Sequence, residues 1–235
     1  MLVFTDCRLP KEAAQTLRTF GHTPIPCPPH PGLAAPVASH PDLLIFPTEN
    51  SVYTHIDYVY TLRALCPLLP ITPISEQVAE QYPHDVLLDA ALVGKHLVCR
   101  PDATSAAVLA YAQEKGATLL PVRQGYAKCN LCIVSENAVI TEDASMEKAL
   151  SFAGVDILRI RSGHVSLPGY PYGFIGGASG CDGHHVFFCG DLTAHPDGDR
   201  IAAFCRMHGM QPISLCDGPL LDVGSLLFFD SSTEN

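Results

Sequence analysis

The sequence predicts an α/β chain of five helix-plus-strands modules closed into a ring, and three observations carry that expectation. Four helical stretches each stop at a glycine and run directly into a β-rich segment, and glycine after a helix accepts the left-handed conformation that ends it. Each such unit is followed by a loop and a paired set of β-rich segments. Finally, 235 residues divided among five modules leave 47 for each, within a single domain spanning 1–235.

In chain order, Lys11–Phe20 stops at Gly21 before a strand over Thr23–Cys27, and Leu43–Phe46 pairs with Val52–His55. The next module is less regular, with a short helix expected near Glu76–Tyr82 and strands at Val86–Leu88 and His96–Cys99. Thr104–Lys115 stops at Gly116 before Ala117–Val122, and Asn130–Ser135 and Ala138–Thr141 flank Glu136-Asn137. Ala144–Ala153 ends at Gly154 before Val155–Ile160, and Asp199–His208 ends at Gly209 before Met210–Leu215. These two helices carry apolar stripes, Met146, Ala149, Leu150, Ala153 and Ile201, Phe204, Cys205, His208, the spacing of a helix lying on a sheet. Between them, Tyr172–Ala178 and His185–Cys189 flank Asp182-Gly183, a two-residue turn signal. Asp143, and either Asp197 or Asp199, read as helix N-caps. The last segment, Leu220–Phe229, has no following partner, so Leu2–Thr5 supplies its neighbour and closes the ring, leaving no exposed sheet edge.

Composition excludes several classes. Apolar residues make up 47% and charged residues 16% of the chain, which marks a core-forming globular protein. Fourteen Lys+Arg against 24 Asp+Glu give a net charge of −10, with no cationic cluster, so nucleic acid is not an expected partner. The longest apolar runs are broken by Asp89, Asp222 and Gly224, so no membrane span is expected. A charge at Asp6 interrupts any export signal. Ten cysteines then read as reduced thiols in the cytoplasm, and the apolar composition leaves room for a homodimer interface.

Motifs that suggest metals or nucleotides have simpler readings, and no metal or cofactor is expected. Cys129 and Cys132 have knuckle spacing but fall in an expected strand, where residues three apart face opposite ways. Cys181, His184, His185 and Cys189 surround a hairpin tip, where adjacent histidines diverge. The glycine-rich run from Gly173 to Gly180 is followed by a turn and a strand, whereas a phosphate cradle needs a helix. Close backbone approach explains those glycines better. Asp191, Asp197 and Asp199 lack the terminal Glu of a calcium loop.

A ring of five such modules resembles the pentein superfamily, the five-bladed α/β propellers that include the guanidino-group-modifying enzymes, and within it an uncharacterised bacterial family. The segment from Asp217 to Leu227 is similar to the final strand of dimethylarginine hydrolases. Phe46-Pro47-Thr48-Glu49-Asn50 looks like the carboxylate-bearing strand end that holds a guanidinium there. Ser162-Gly163-His164-Val165 is similar to the segment with their catalytic histidine. The resemblance implies a small guanidino- or amidino-type molecule in a central channel. A guanidinium is a flat cation that carboxylates receive in its own plane, a thiolate attacks its carbon, and a histidine moves protons.

On that resemblance His164, Asp222 and Ser225 are the catalytic candidates, and Glu49, Asn50, Lys128 and Asp191 the binding candidates. The family's nucleophilic cysteine has no counterpart, since Val223 or Gly224 occupies its place. Cys216 precedes the Asp217-Gly218-Pro219 turn, and Ser225 offers an altered nucleophile. Three classes therefore stay open: a hydrolase or amidinotransferase acting on C–N bonds, a non-catalytic binding protein, and an interaction scaffold.

Overall fold

The computed structural model describes residues 1–230, and over these the chain forms five three-stranded sheets. β1 (Leu2–Asp6) leads through α1 (Lys11–Thr19) to β2 (Thr23–Cys27). The second sheet contains β3 (Ile45–Pro47), entered through the single turn α2 (Pro41–Leu44), then β4 (Val52–His55), α3 (Val59–Leu65) and β5 (Ile71–Ile74). The third has β6 (Ala91–Val93), β7 (His96–Cys99), α4 (Ala106–Glu114) and β8 (Thr118–Pro121). The fourth opens with the turn α5 (Ala127–Asn130), then β9 (Leu131–Ser135), β10 (Ala138–Thr141), α6 (Ala144–Phe152) and β11 (Asp156–Arg159). The fifth has β12 (Ser179–Cys181), β13 (His185–Phe188), α7 (Gly198–Met207) and β14 (Gln211–Ser214), and β15 (Leu227–Phe229) returns to the first sheet.

Every sheet has one plan. An inner strand pairs antiparallel with a central strand, a helix crosses over, and an outer strand pairs parallel with the same central strand. In the first sheet the inner strand comes from the other end of the chain: β15 pairs with β1 in the register Leu2↔Phe229, Phe4↔Leu227. The crossover helices α1, α4, α6 and α7 end alike. Gly21, Gly116, Gly154 and Gly209 have φ between 69° and 80°, and the next residue donates back to a carbonyl in the last turn, as from His22 to Leu17 and Met210 to Cys205. Asp143 caps α6 by accepting from Ser145 and Met146. Asp143→Ala is expected to cost about 1 kcal/mol, measured as a shift in the urea midpoint, the usual scale for a lost N-cap. Asp197 stands at the head of α7, but its carboxylate receives Arg161 and Arg200 instead of helix amides.

The core shows that the ring is closed. Buried apolar residues fall into five clusters, and each joins two neighbouring sheets. Phe4 and Leu227 meet Ile45 and Val52; Phe46 meets Leu97; Val98 meets Val139; Ile140 meets Val186; and Phe187 meets Val3. Successive residues of a central strand therefore serve different junctions, Val3 and Phe4, Leu97 and Val98, Val139 and Ile140, Phe187 and Phe188. Side chains on a strand alternate faces, and here both faces are covered. That is why these strands read as continuous apolar runs.

Several expected elements are corrected. Residues 76–82 form bends and turns, and the helix of the second sheet is α3. The inner strand of the third sheet is β6, after the turn at Val86–Leu88. Tyr172–Ala178 is a turn-rich segment, and only Ser179–Cys181 pairs. Within Leu220–Phe229 the pairing of β15 is confined to the last three residues, because Gly224 and Ser225 both turn left-handed, at φ 66° and 68°.

Candidate functional site

Five equivalent positions converge where the inner strands begin. Asp42, Asp89, Cys129, Gly177 and Ser225 each stand two or three places ahead of β3, β6, β9, β12 and β15. Asp42, Asp89 and Ser225 are essentially inaccessible and Cys129 nearly so. Among the described residues Ser225 is the one non-glycine with positive φ, a conformation that surrounding contacts must enforce. Its amide donates to Gly177 O at 2.8 Å, and its turn is fixed against the glycine pair.

Ser225 Oγ is the hub. Lys128 Nζ donates to it at 2.9 Å, and it stands 2.7 Å from Asp42 Oδ2 and 3.0 Å from Gly176 O, two acceptors for its proton. Cys129 Sγ donates to the same Asp42 oxygen at 2.9 Å. Asp89 Oδ1 accepts from the Lys128 and Cys129 amides and so fixes the turn α5 that presents both side chains. Asp222 accepts from the Phe174 amide at 2.8 Å and the Gly224 amide at 3.0 Å. His40 lies between two acids: Nδ1 is 3.8 Å from Asp222 Oδ1, and Nε2 is 3.8 Å from Asp6 Oδ2. A Cβ on Gly224 would meet His40, and one on Gly177 would meet the Asp222 carboxylate, so both glycines permit the close approach.

The centre carries more negative groups than positive ones. Burial, and then Asp42, pushes the Asp89 carboxyl well up. Burial chiefly raises Asp222, partly offset by His40. Burial first, and then Asp42, Asp89 and Asp222, pushes the Cys129 thiol well up, so it stays a protonated donor and not a thiolate. Asp42 Oδ1 and Asp89 Oδ2 have no hydrogen-bond partner among the described residues. Beside Asp42 is a cavity of about 110 Å³, lined also by Lys128 and by Phe46, Leu88, Ile133 and Leu227. Two charged groups in an otherwise apolar lining suit a small polar head group.

Farther out, Glu142 follows β10, is buried, and has neither carboxylate oxygen hydrogen-bonded. Burial and the Asp222 charge push it up to about 8, with Arg159 opposing.

The structure brings Lys128, Asp222 and Ser225 together at this centre. It places the other candidates elsewhere. Glu49 is exposed at the far end of the β3–β4 hairpin, where it pairs with Lys115 at 2.6 Å, and Asn50 beside it borders a surface groove with Leu65 and Phe229. Asp191 caps a single turn by accepting from Thr193. His164 is exposed, packs its ring 5.5 Å from that of His195, and borders a recess with Arg159, Arg161 and Arg200. Cys216 stands beside Cys189, whose hydrogen bond holds it down to about 7, at the junction of the fifth and first sheets.

Asp42, Asp89 and His40 are site residues that the sequence reading did not single out, and Cys129, expected there in a strand, lies in the turn α5 ahead of β9. The available signal was positional: an acid just ahead of the apolar inner strand in two modules, Asp42-Leu43-Leu44-Ile45 and Asp89-Ala90-Ala91-Leu92.

Five antiparallel-plus-parallel sheets around a polar centre define a pentein-type α/β propeller. Within that class, the chain belongs to the family of unknown function DUF6873, whose model matches residues 4–227. Three solved structures share the fold. Dimethylarginine dimethylaminohydrolase from Pseudomonas aeruginosa, in complex with citrulline, is 10% identical, with 91% of each chain covered and a TM-score of 0.57. An amidinotransferase of the saxitoxin pathway from Microseira wollei is 11% identical, with 92% of this chain and 80% of that one covered at a TM-score of 0.52. Agmatine deiminase from C. jejuni is 8% identical, with 91% and 74% covered at 0.50. No curated protein matches the chain significantly in sequence. No helix of the described residues is long and apolar enough to cross a membrane.

Proposed function

We propose that the centre of the ring binds a small guanidino- or amidino-type cation. The observation that carries this reading is the charge imbalance there: Asp42, Asp89 and Asp222 are buried together, Lys128 reaches their hub, and two carboxylate oxygens have no hydrogen-bond partner among the described residues. Buried charge without a partner is unfavourable, so a planar cation that donates to Asp42 Oδ1 and Asp89 Oδ2 relieves it. The fold relatives supply the same expectation, since they act on or bind guanidino and ureido compounds by name. The apolar lining of Phe46, Leu88 and Leu227 suits the flat face of such a group.

The test is calorimetric titration of the reduced protein with arginine, agmatine, guanidine and simple amidines. At least one is expected to bind, and Asp42→Asn is expected to weaken it by about 2 kcal/mol or more, some thirty-fold, as for loss of one partner in a buried charge pair. Affinity is also expected to rise with pH, because burial raises the Asp89 and Asp222 carboxyls and a cation binds their ionised forms best. No binding across the panel, or equal binding by Asp42→Asn, would favour the scaffold reading.

A second reading rests on one contact set, Lys128–Ser225–Asp42. A serine between a carboxylate and an ammonium is arranged as a nucleophile: its proton passes to Asp42 as Oγ bonds to the amidino carbon, and the departing nitrogen takes a proton from Lys128. Turnover that is abolished in Ser225→Ala, with ligand binding retained, is the expected sign of it.

A further inference from the structure

We propose that His40, Asp42 and Cys129 form a site for one late first-row divalent cation of the zinc class. A ring nitrogen of His40, a carboxylate oxygen of Asp42 and Cys129 Sγ lie within 4.8 Å of one another. The three residues are 1%, 1% and 3% exposed. Imidazole, carboxylate and thiol together are the donor set of zinc, whereas magnesium and calcium take oxygen alone. The donors come from distant parts of the chain: His40 and Asp42 flank Pro41 ahead of β3, and Cys129 lies in α5, 87 residues on.

Two further observations point to a ligand. His40 Nε2 and Asp42 Oδ1 are buried with no hydrogen-bond partner among the described residues, although buried polar atoms are nearly always paired. Each ring nitrogen of His40 has a carboxylate 3.8 Å away, Asp222 at Nδ1 and Asp6 at Nε2, so whichever nitrogen binds the ion, the other has an acid beside it to orient the ring. Cys129 Sγ and Asp42 Oδ2 stand 2.9 Å apart. Sulfur and oxygen bound tetrahedrally at their usual zinc distances are about 3.5 Å apart, so a small rotamer adjustment converts the contact into two ligands. On binding, the Cys129 S–H bond breaks, an S–metal bond forms, and the proton leaves to solvent. Ser225 Oγ contacts Asp42, which also lines the adjoining cavity, so a hydroxyl and an open space adjoin the three donors. Three protein ligands and one open position are the pattern of a reactive metal site, not a closed structural one.

This site stands independently of the guanidino reading, and because Asp42 serves both, the metal and the organic cation compete. The test is titration of the chelator-treated, reduced protein with Co²⁺ and then Zn²⁺. One equivalent of Co²⁺ is expected to give tetrahedral visible bands with a sulfur-to-cobalt band in the near ultraviolet, and one equivalent of Zn²⁺ is expected to bleach both. Cys129→Ala is expected to lose the sulfur band and to bind at least about 100-fold more weakly, whereas Cys216→Ala keeps both properties. X-ray absorption on the zinc-loaded parent needs no variant and is expected to show a single sulfur in a shell otherwise of nitrogen and oxygen. A shell with no sulfur or with two or more, a sulfur band that survives in Cys129→Ala, or no cobalt binding would overturn the proposal. Failure of every guanidino compound to bind leaves these readouts unchanged.

Discussion

A Gly176→Ala variant is expected to lose about 3 kcal/mol of stability or more, read as a large drop in the urea midpoint. A methyl group there would lie 2.3, 2.5 and 2.6 Å from the carbonyl oxygens of Lys128, Cys129 and Leu131. All three atoms are backbone, and they belong to α5 and the start of β9, so no side chain can rotate away. Relief requires the inner edges of the fourth and fifth sheets to separate, and overpacking of this kind costs about 1–3 kcal/mol even where the surroundings partly yield. The movement would also displace Gly176 O from Ser225 Oγ and shift Lys128, so binding at the ring centre should be lost together with stability. Gly183→Ala is the comparison. Its added methyl meets nothing within 4 Å, and only its φ of 92° opposes the change, for a cost of about 1 kcal/mol. Equal losses at the two positions would remove the packing explanation.

Stability is expected to fall as pH rises from 5 to 9, and Glu142→Gln is expected to flatten much of that slope. Glu142 is buried without hydrogen bonds and pushed up to about 8, so between its unfolded value near 4.3 and about 8 the folded state holds a proton that the unfolded state has released. A carboxyl raised on folding stabilises least at high pH, and the penalty for ionising it in place grows through this window to something on the order of 3–5 kcal/mol. Asp89 and Asp222 are displaced in the same direction, so some slope should persist in the variant. Chemical denaturation at several pH values measures it directly. A parent protein as stable at pH 9 as at pH 5 would contradict the burial argument.

The parts of the fold legible in sequence are those fixed by local chemistry. Gly21, Gly116, Gly154 and Gly209 end four helices because the left-handed residue after a helix is a backbone requirement, visible one residue at a time. The pairing of Leu2–Thr5 with the end of the chain was legible for a different reason, since a sheet edge left open is a liability. What sequence could not show was set by contacts between modules. The run from Tyr172 to Ala178 has strand-like residues, yet Gly176 and Gly177 press against α5 and against Asp222, which forces turns. Residues 76–82 have helix formers, but Glu76 is held at the head of α4, where it accepts from the Ala106 amide, and the helix lies at Val59–Leu65 instead, where Leu62 is wholly buried.

The same division runs through the site. Lys128, Asp222 and Ser225 stand beside recognisable breaks in apolar runs. Asp42 and Asp89 interrupt similar runs, but an acid before a strand is ordinarily read as a turn or cap residue, and only the ring's geometry brings the two to one point. His164 illustrates the reverse. Its short motif resembles a catalytic segment, and the folded chain sets its ring against His195 in a recess with three arginines.

The junction between β15 and β1 has a consequence for biosynthesis. As the polypeptide emerges from the ribosome, β1 can pair early with β2 along one edge, but its other edge must wait until residues 227–229 have been made. Until then the nascent chain therefore holds an unsatisfied strand edge at β1, the kind of surface that invites association with neighbouring chains. Synthesis of residues 227–229 is then the event that shields it.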